Sequence, residues 1–156
     1  MKTLTRVVPH IRWMIRRDMP EVVDIERAAF PNPWVEDDFL RCLRQRNCIG
    51  MVAERDDRLI GFTLYELHKD RVHVLNFAVA PEWRRRGVGS NMVAKLKGKL
   101  SSHRRGTLSL NISDANLSAQ LFLRCHGFRA VSVLRGYYPD TGDDAYRMEF
   151  AVGATP

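Results

Sequence analysis

Cysteine is scarce in this 156-residue sequence: Cys42, Cys48 and Cys125 form an odd set, with no C-x-x-C pair and no histidine at metal-ligand spacing. That pattern argues against a disulfide framework and a structural zinc site, so no metal is expected and the thiols read as reduced and mostly buried. No apolar run approaches the roughly 20 residues that a membrane-spanning helix needs. The opening "MKTLTRVVPHIRW" has neither the apolar region nor the cleavage site of a secretory signal. A cytoplasmic location with no membrane partner is the expectation. Repeats and low-complexity tracts are also missing, and a chain of this length can bury a core unaided. A single domain over 1–156 is therefore expected, loosely ordered at 1–10 and 153–156. Acidic residues are in the minority, 18 Asp and Glu against 25 Lys and Arg, for a net charge of +7. The excess favours an anionic ligand or an RNA-rich partner by long-range attraction, without choosing between them.

The apolar residues are distributed as short periodic segments. "IRWMIR" at 11–16 reads as a first strand, and "DMPE" at 18–21 as a capping box that opens a helix running to about Phe30. The prolines of "FPNPW" break it, and a second short helix starts near Val35 with Phe39, Leu40 and Leu43 on one face. "CIGMVAE" and "LIGFTLYELH" flank the turn "RDDR" as a hairpin, and "VHVLNFAVA" adds a third antiparallel strand. Met92, Val93, Leu96 and Leu100 then recur at helical spacing, from about Gly89 to the polar "SSHRRG". Strand "TLSLNIS", helix "NLSAQLFLRC" closed by Gly127, and strands "FRAVSVLR" and "YRMEFAV" around the loop "GYYPDTGDDA" complete the chain. The pattern is that of a mixed α/β sheet with helices on its faces.

"PEWRRRGVGSNMVAKL" at 81–96 places three arginines before a Gly-x-Gly and a helix. A strand end, a short loop and a helix opening on Gly-x-Gly turn backbone N–H groups and the helix dipole toward an anion, and a pyrophosphate fits such a place. Gly87 and Gly89 let phosphates approach those N–H groups, while Arg84, Arg85 and Arg86 can add charge-assisted hydrogen bonds. A solvated charge run at a helix start is the plain alternative. Direct nucleic-acid recognition is not expected, since one cluster supplies neither a basic helix nor spread aromatic platforms. A dinucleotide fingerprint would need a third glycine and a parallel βαβ unit.

"LNFAVAPEWRRRGVGSNMV" resembles the central signature of the GNAT (Gcn5-related) acetyltransferase superfamily, a strand followed by [Q/R]-x-x-G-x-[G/A] and a helix. "NLSAQLFLRCHGF" is similar to the family's N-x-x-A…GF helix and turn, and "GYYP" to the loop of N-terminal acetyltransferases. With "AAFPNPW", the likeness is greatest to the bacterial ribosomal-protein-alanine N-acetyltransferase type. The resemblance implies a GNAT fold: a mixed, mostly antiparallel sheet of about six or seven strands, flanked by about four helices and splayed at the cofactor site. It implies acetyl-CoA as cofactor, with main-chain atoms of Phe77, Ala78 and Val79 along the acetyl and pantetheine arm. The N–H of Val79 would face the thioester oxyanion. Arg84, Arg85, Arg86, Gly87, Val88, Gly89 and Ser90 would hold the pyrophosphate, and Asn116 the pantetheine. Asn116 is equally a natural helix cap. The implied acceptor is a protein or peptide N-terminus, a ribosomal protein among the candidates, with Trp34, Tyr137 and Tyr138 as substrate-binding residues; the chain would act as a monomer or dimer.

Departures from the family pattern concern proton transfer. The carboxylate expected on "LSLNIS" is Asn111, and the phenol expected in the following helix is Leu123. An amide is no base and an isobutyl group no acid. His73 shares a strand face with Leu75, Phe77 and Val79, and its imidazole could accept a proton directly or through water. A surface role is the alternative for His73, a neutral filler for Asn111, and loop packing against Trp34 for the tyrosines; Tyr138 could also donate to the thiolate. The other histidines, His10, His68, His103 and His126, sit beside turns or termini. Two other functions stay open, a small-amine acetyltransferase and a catalytically weak acyl-CoA-binding module.

Overall fold

A computed structural model of the chain describes residues 5–101 and 103–153. The outermost parts of the ends expected to be loose, 1–4 and 154–156, lie outside the described residues. The elements run β1 (His10–Trp13), α1 (Met19–Ala29), α2 (Glu36–Leu43), β2 (Cys48–Arg55), β3 (Arg58–Leu67), β4 (Arg71–Val79), α3 (Val88–Lys97), β5 (Thr107–Ser113), α4 (Leu117–Cys125), β6 (Arg129–Leu134) and β7 (Ala145–Ala151). Single 3-10 turns at Arg16–Asp18 and Pro81–Trp83 precede α1 and α3. The strands form one mixed sheet in the order β1-β2-β3-β4-β5-β7-β6. β4 and β5 pair in parallel, whereas β1–β2, β2–β3, β5–β7 and β6–β7 are antiparallel. The chain falls into two compact units, Met1–Leu67 with Asn76–Lys95 and His68–Leu75 with Leu96–Pro156.

In the first unit the hairpin of β2 and β3 is closed by Asp56 and Asp57, both left-handed at φ 52° and 63°. Two successive positive φ values give a turn whose twist matches that of the flanking strands, and Asp tolerates them better than most residues. β3 is buried over most of its length, which is why it reads as a nearly continuous apolar run rather than an alternation. A Cβ at Gly61 would lie 3.0 Å from the Ala78 carbonyl oxygen and 2.9 Å from Met92 Sδ. A larger residue there would crowd the Ala78 carbonyl and displace the Met92 side chain, so glycine suits the close approach of β3, β4 and α3.

Two boundaries and one capping role differ from the sequence reading. β1 occupies His10–Trp13 rather than 11–16, because Asp18 takes the Ile15 N–H at 2.8 Å and turns the chain out of the ladder. Asp18 caps no helix: its two oxygens receive the Arg12 guanidinium at 2.8 Å each, and Glu21 accepts the Leu59 N–H at 3.0 Å instead of closing a box. That charge-assisted pair holds the Asp18 carboxyl below the usual carboxylate range. α3 stops at Lys97, and the bonds Lys99 N–H to Leu96 O and Leu100 N–H to Lys97 O tighten its end into i+3 turns.

The second unit follows the alternation of β5, whose Leu108 and Leu110 are buried on one face with Met148, Phe128 and Leu123 also in the core. α4 ends at Gly127 (φ 87°), where the Phe128 N–H returns to Leu123 O at 3.0 Å. This is a glycine-terminated helix end. The parallel ladder covers Arg71–Val74 and Thr107–Leu110 and stops there, although β4 continues to Val79 and β5 to Ser113. The expected parting of the two central strands is thus present in the register.

Candidate active site

The first unit carries an anion cradle made mostly of backbone. After β4 and the Pro81–Trp83 turn, Arg84 is extended, Arg85 is left-handed at φ 63°, Gly87 is left-handed at φ 88°, and α3 begins at Val88. Alternating handedness turns successive N–H groups to one side, forming a nest. The N–H groups of α3's first turn have no helical carbonyl four residues behind them; the first such bond is Asn91 N–H to Gly87 O at 3.0 Å. No acidic residue lies in that turn to compete for them. A Cβ at Gly87 would sit 3.2 Å from the Arg6 guanidinium, in a conformation that side chains rarely adopt.

The three arginines are not equivalent. Arg86 lies 4.5 Å over the Trp83 ring, donates from Nε to Thr5 O at 3.0 Å, and its own carbonyl accepts the Val7 N–H at 2.7 Å. It straps residues 5–7 to the loop, with Val7 buried beneath. Arg84 Nε reaches Val79 O at 3.4 Å. Arg85 makes no hydrogen bond or ion pair among the described residues, which leaves its charge for a ligand. Arg6 beside Gly87 adds a further guanidinium that the sequence reading missed, since the segment before β1 carried no periodic or motif signal.

The end of β4 is held from several sides. Phe77 and Val79 pack against Val7, Ile60, Val88 and Met92, and Ala78 is buried. The Phe77 N–H is bound by the preceding side chain, Asn76 Oδ1, at 2.8 Å, and Asn76 O accepts the Thr63 hydroxyl at 2.8 Å. Asn76 Nδ2 donates at 2.8 Å to Glu26 Oε1, and Glu26 Oε2 accepts the Trp34 N–H at 2.9 Å. Burial pushes the Glu26 carboxyl up, while the Trp34 and Asn76 bonds pull it back. Sequence reasoning passed over Glu26, although a carboxylate beside Val22 and Ile25 on the buried stripe of α1 is a legible anomaly. The Trp34 ring packs edge-on against Phe39 at 5.1 Å.

In the second unit a polar row crosses one face of the sheet. His73 pairs with Ser109, Ser109 with Glu149, and Asn111 with Arg147, so these side chains are neighbours on one side. His73 Nδ1 lies 2.8 Å from Oγ of the fully buried Ser109, which fixes the ring. His73 is therefore partly enclosed, not a loose surface residue. Asn111 Nδ2 donates to the Tyr137 hydroxyl at 3.3 Å, and Asn111 Oδ1 is buried with no hydrogen-bond partner among the described residues. Arg147 Nε and Glu149 Oε2 pair at 3.3 Å.

Tyr137 and Tyr138 stack edge to face at 4.9 Å in the loop before β7. Asp144 latches that loop through the Gly136 N–H at 2.8 Å and Arg135 at 3.1 Å. Burial pushes the Tyr138 phenol up, so it keeps its proton through the neutral range. Asn116 caps α4, accepting the Ala119 N–H at 3.2 Å. Leu123 is buried in the core and offers no donor.

A central strand end that leads into a glycine-gated anion cradle at a helix start defines an acetyltransferase architecture. The family model described as Acetyltransferase (GNAT) family matches residues 19–128. The chain belongs to the GNAT acetyltransferase family. The [ribosomal protein bS18]-alanine N-acetyltransferase of Salmonella typhimurium is 30% identical over 122 residues, 78% of this chain and 82% of that protein. The crystal structure of the ribosomal-protein-S18-alanine N-acetyltransferase from Escherichia coli superposes with a TM-score of 0.83 at 23% identity, covering 96% of this chain and 97% of that one. Arabidopsis thaliana NAA60 in complex with acetyl-CoA gives a TM-score of 0.80 at 19% identity, covering 94% and 100%. No helix among the described residues is long and apolar enough to cross a membrane.

Proposed function

We propose that this protein transfers an acetyl group from acetyl-CoA to the N-terminal amine of a protein. The observation that carries the reading is the cradle at 85–90, where left-handed Arg85 and Gly87 turn N–H groups outward at an acid-free helix start. Those N–H groups, with Arg85 and Arg6, suit a pyrophosphate. The bound cofactor would supply the acetyl thioester. Phe77, Ala78 and Val79 would line its arm, the N–H of Val79 would donate to the thioester carbonyl oxygen, and Asn116 would contact the pantetheine. The loop of Tyr137 and Tyr138, with Trp34, would receive the acceptor peptide. The relatives' names make a ribosomal protein the first acceptor to try.

Positioning the amine carries most of the rate in this reading, because proximity and orientation can supply about 7 to 11 kcal/mol of a barrier. His73, held by Ser109, is the proton acceptor. Five residues of β4 lie between it and Val79, six steps or roughly 20 Å of extended strand, so the proton travels along a chain of waters rather than by direct contact. Asn111, hydrogen-bonded to Tyr137, orients water or the amine. Tyr138 is the group able to protonate the leaving thiolate.

The test is mass spectrometry of N-terminal peptides, including that of ribosomal protein bS18, incubated with the protein and acetyl-CoA. A mass gain confined to the terminal amine is expected. Buried Leu123 and neutral Asn111 give a second reading some footing, a binding module with little turnover. Tight acetyl-CoA binding with no peptide or small amine acetylated would favour that module and overturn the enzyme.

A further inference from the structure

We propose that Glu26 is a positioning residue that ties the loop carrying Trp34 to the reacting end of β4; the inference rests on the acetyl-transfer reading above. Glu26 is 2% exposed on the inner face of α1. No ion pair compensates its charge among the described residues, and its two oxygens instead receive the Trp34 N–H at 2.9 Å and Asn76 Nδ2 at 2.8 Å. Asn76 in turn uses Oδ1 to bind the Phe77 N–H at 2.8 Å, while its backbone oxygen accepts the buried Thr63 hydroxyl at 2.8 Å. The chain of bonds is directional. Both donors point at Glu26, so an acceptor at both ends is required, and a carboxylate is the side chain of that length with acceptors only. Asn76 cannot reverse its amide to suit another partner, because its NH2 would then confront the Phe77 N–H.

A buried carboxylate without a cation is costly, and an apolar side chain filling the same space would fold more cheaply. The geometry shows what is gained for that cost. One group fixes the acceptor-side loop at Trp34 and the 76–77 peptide of the acetyl-side strand, two elements that must be held within fractions of an ångström for an amine to meet a thioester. Buried, and with both oxygens engaged, Glu26 acts through Trp34 and Asn76 rather than on a reactant.

The network makes an exchange variant possible. In Glu26→Gln one acceptor becomes a donor facing a donor. In Glu26→Gln combined with Asn76→Asp, the new amide donates to the new carboxylate, while its oxygen keeps the Trp34 N–H and the Asp keeps the Phe77 N–H. Charge and bond count are restored with the carboxylate moved by one residue. For Glu26→Gln we expect peptide kcat/KM to fall about 10-fold or more, the scale of a lost bond to a charged group. Acetyl-CoA affinity by calorimetry should stay within about 3-fold, since the cradle at 85–90 is untouched. The exchange variant should recover most of the loss.

Amide resonances read the link without requiring turnover. The Trp34 and Phe77 N–H signals should both shift in Glu26→Gln and return in the exchange variant. If wild type acetylates no peptide, the acetyl-transfer reading fails while the resonances still judge the tie. Unmoved Trp34 or Phe77 signals in folded Glu26→Gln overturn the inference, as does an unchanged peptide kcat/KM in that variant when the wild type turns over. If Glu26→Gln does not fold, the exchange variant decides. Folding with wild-type resonances supports the tie, and folding with both signals displaced overturns it.

Discussion

The cradle of the first unit and the polar row of the second are built on opposite plans. The cradle presents main-chain N–H groups, and its side chains serve chiefly to permit or hold a backbone path: glycine at 87, Arg86 stacked on Trp83. The row presents side chains: His73, Ser109 and Asn111 on strands paired to their neighbours, and Tyr137 reaching Asn111 from the loop before β7. A backbone site survives many substitutions and fails abruptly where the path is blocked. A side-chain site changes its chemistry with each substitution.

Gly87→Glu is the sharpest test of that contrast, adding a side chain at positive φ and a carboxylate at the anion site. Acetyl-CoA binding should be lost by calorimetry, and unchanged affinity would remove the cradle from the cofactor's path. His73→Ala is next, with kcat expected to fall about 10-fold, less than the roughly 100-fold or more of a base in direct reach, and any inflection of rate near neutral pH to vanish. Wild-type kcat from pH 6 to 9 in that variant would leave solvent as the proton acceptor and the row as structure. Tyr138→Ala should raise the peptide KM several-fold, on the scale of one lost hydrogen bond, while leaving the acetyl-CoA KM nearly unchanged; equal rises would reassign the loop to packing.

The smallest effect concerns the stability of the fold. Asp18, its pKa depressed by Arg12, stabilises the folded state above the unfolded carboxyl pKa of about 3.9, and that contribution disappears as pH falls through the lower folded value. With Arg12 partly solvated, Asp18→Asn should cost about 1 kcal/mol at pH 7 and flatten the acid side of the stability curve. Urea unfolding at pH 7 and pH 3 measures both. An equal loss at the two pH values would mean that packing rather than charge is responsible.

The same contrast explains how much the sequence disclosed. Strands β2 to β7 and helices α1 to α4 were legible because alternation, helical spacing and glycine or proline stops agree with the burial they produce. The left-handed turn at Gly87 was legible because a backbone path of that kind leaves a glycine just before the helix. Asp18 was misread as a cap because its partner Arg12 is distant in kind rather than in sequence, belonging to the strand before it. Glu26 and Ser109 escaped because each acts through a residue of another element, Asn76 at 50 positions and His73 at 36 along the chain, and Arg6 because only folding brings it beside Gly87. No local pattern encodes such pairings.

Left-handed Arg85 sets folding against recognition at a single position. A non-glycine residue at φ 63° is held in a sparsely populated conformation that costs on the order of 1 kcal/mol, and glycine there would relax the loop while removing the guanidinium. Selection for thermal robustness and selection for tight cofactor capture would therefore pull this codon in opposite directions. A stabilised variant obtained without assaying binding would be expected to lose its arginine here first.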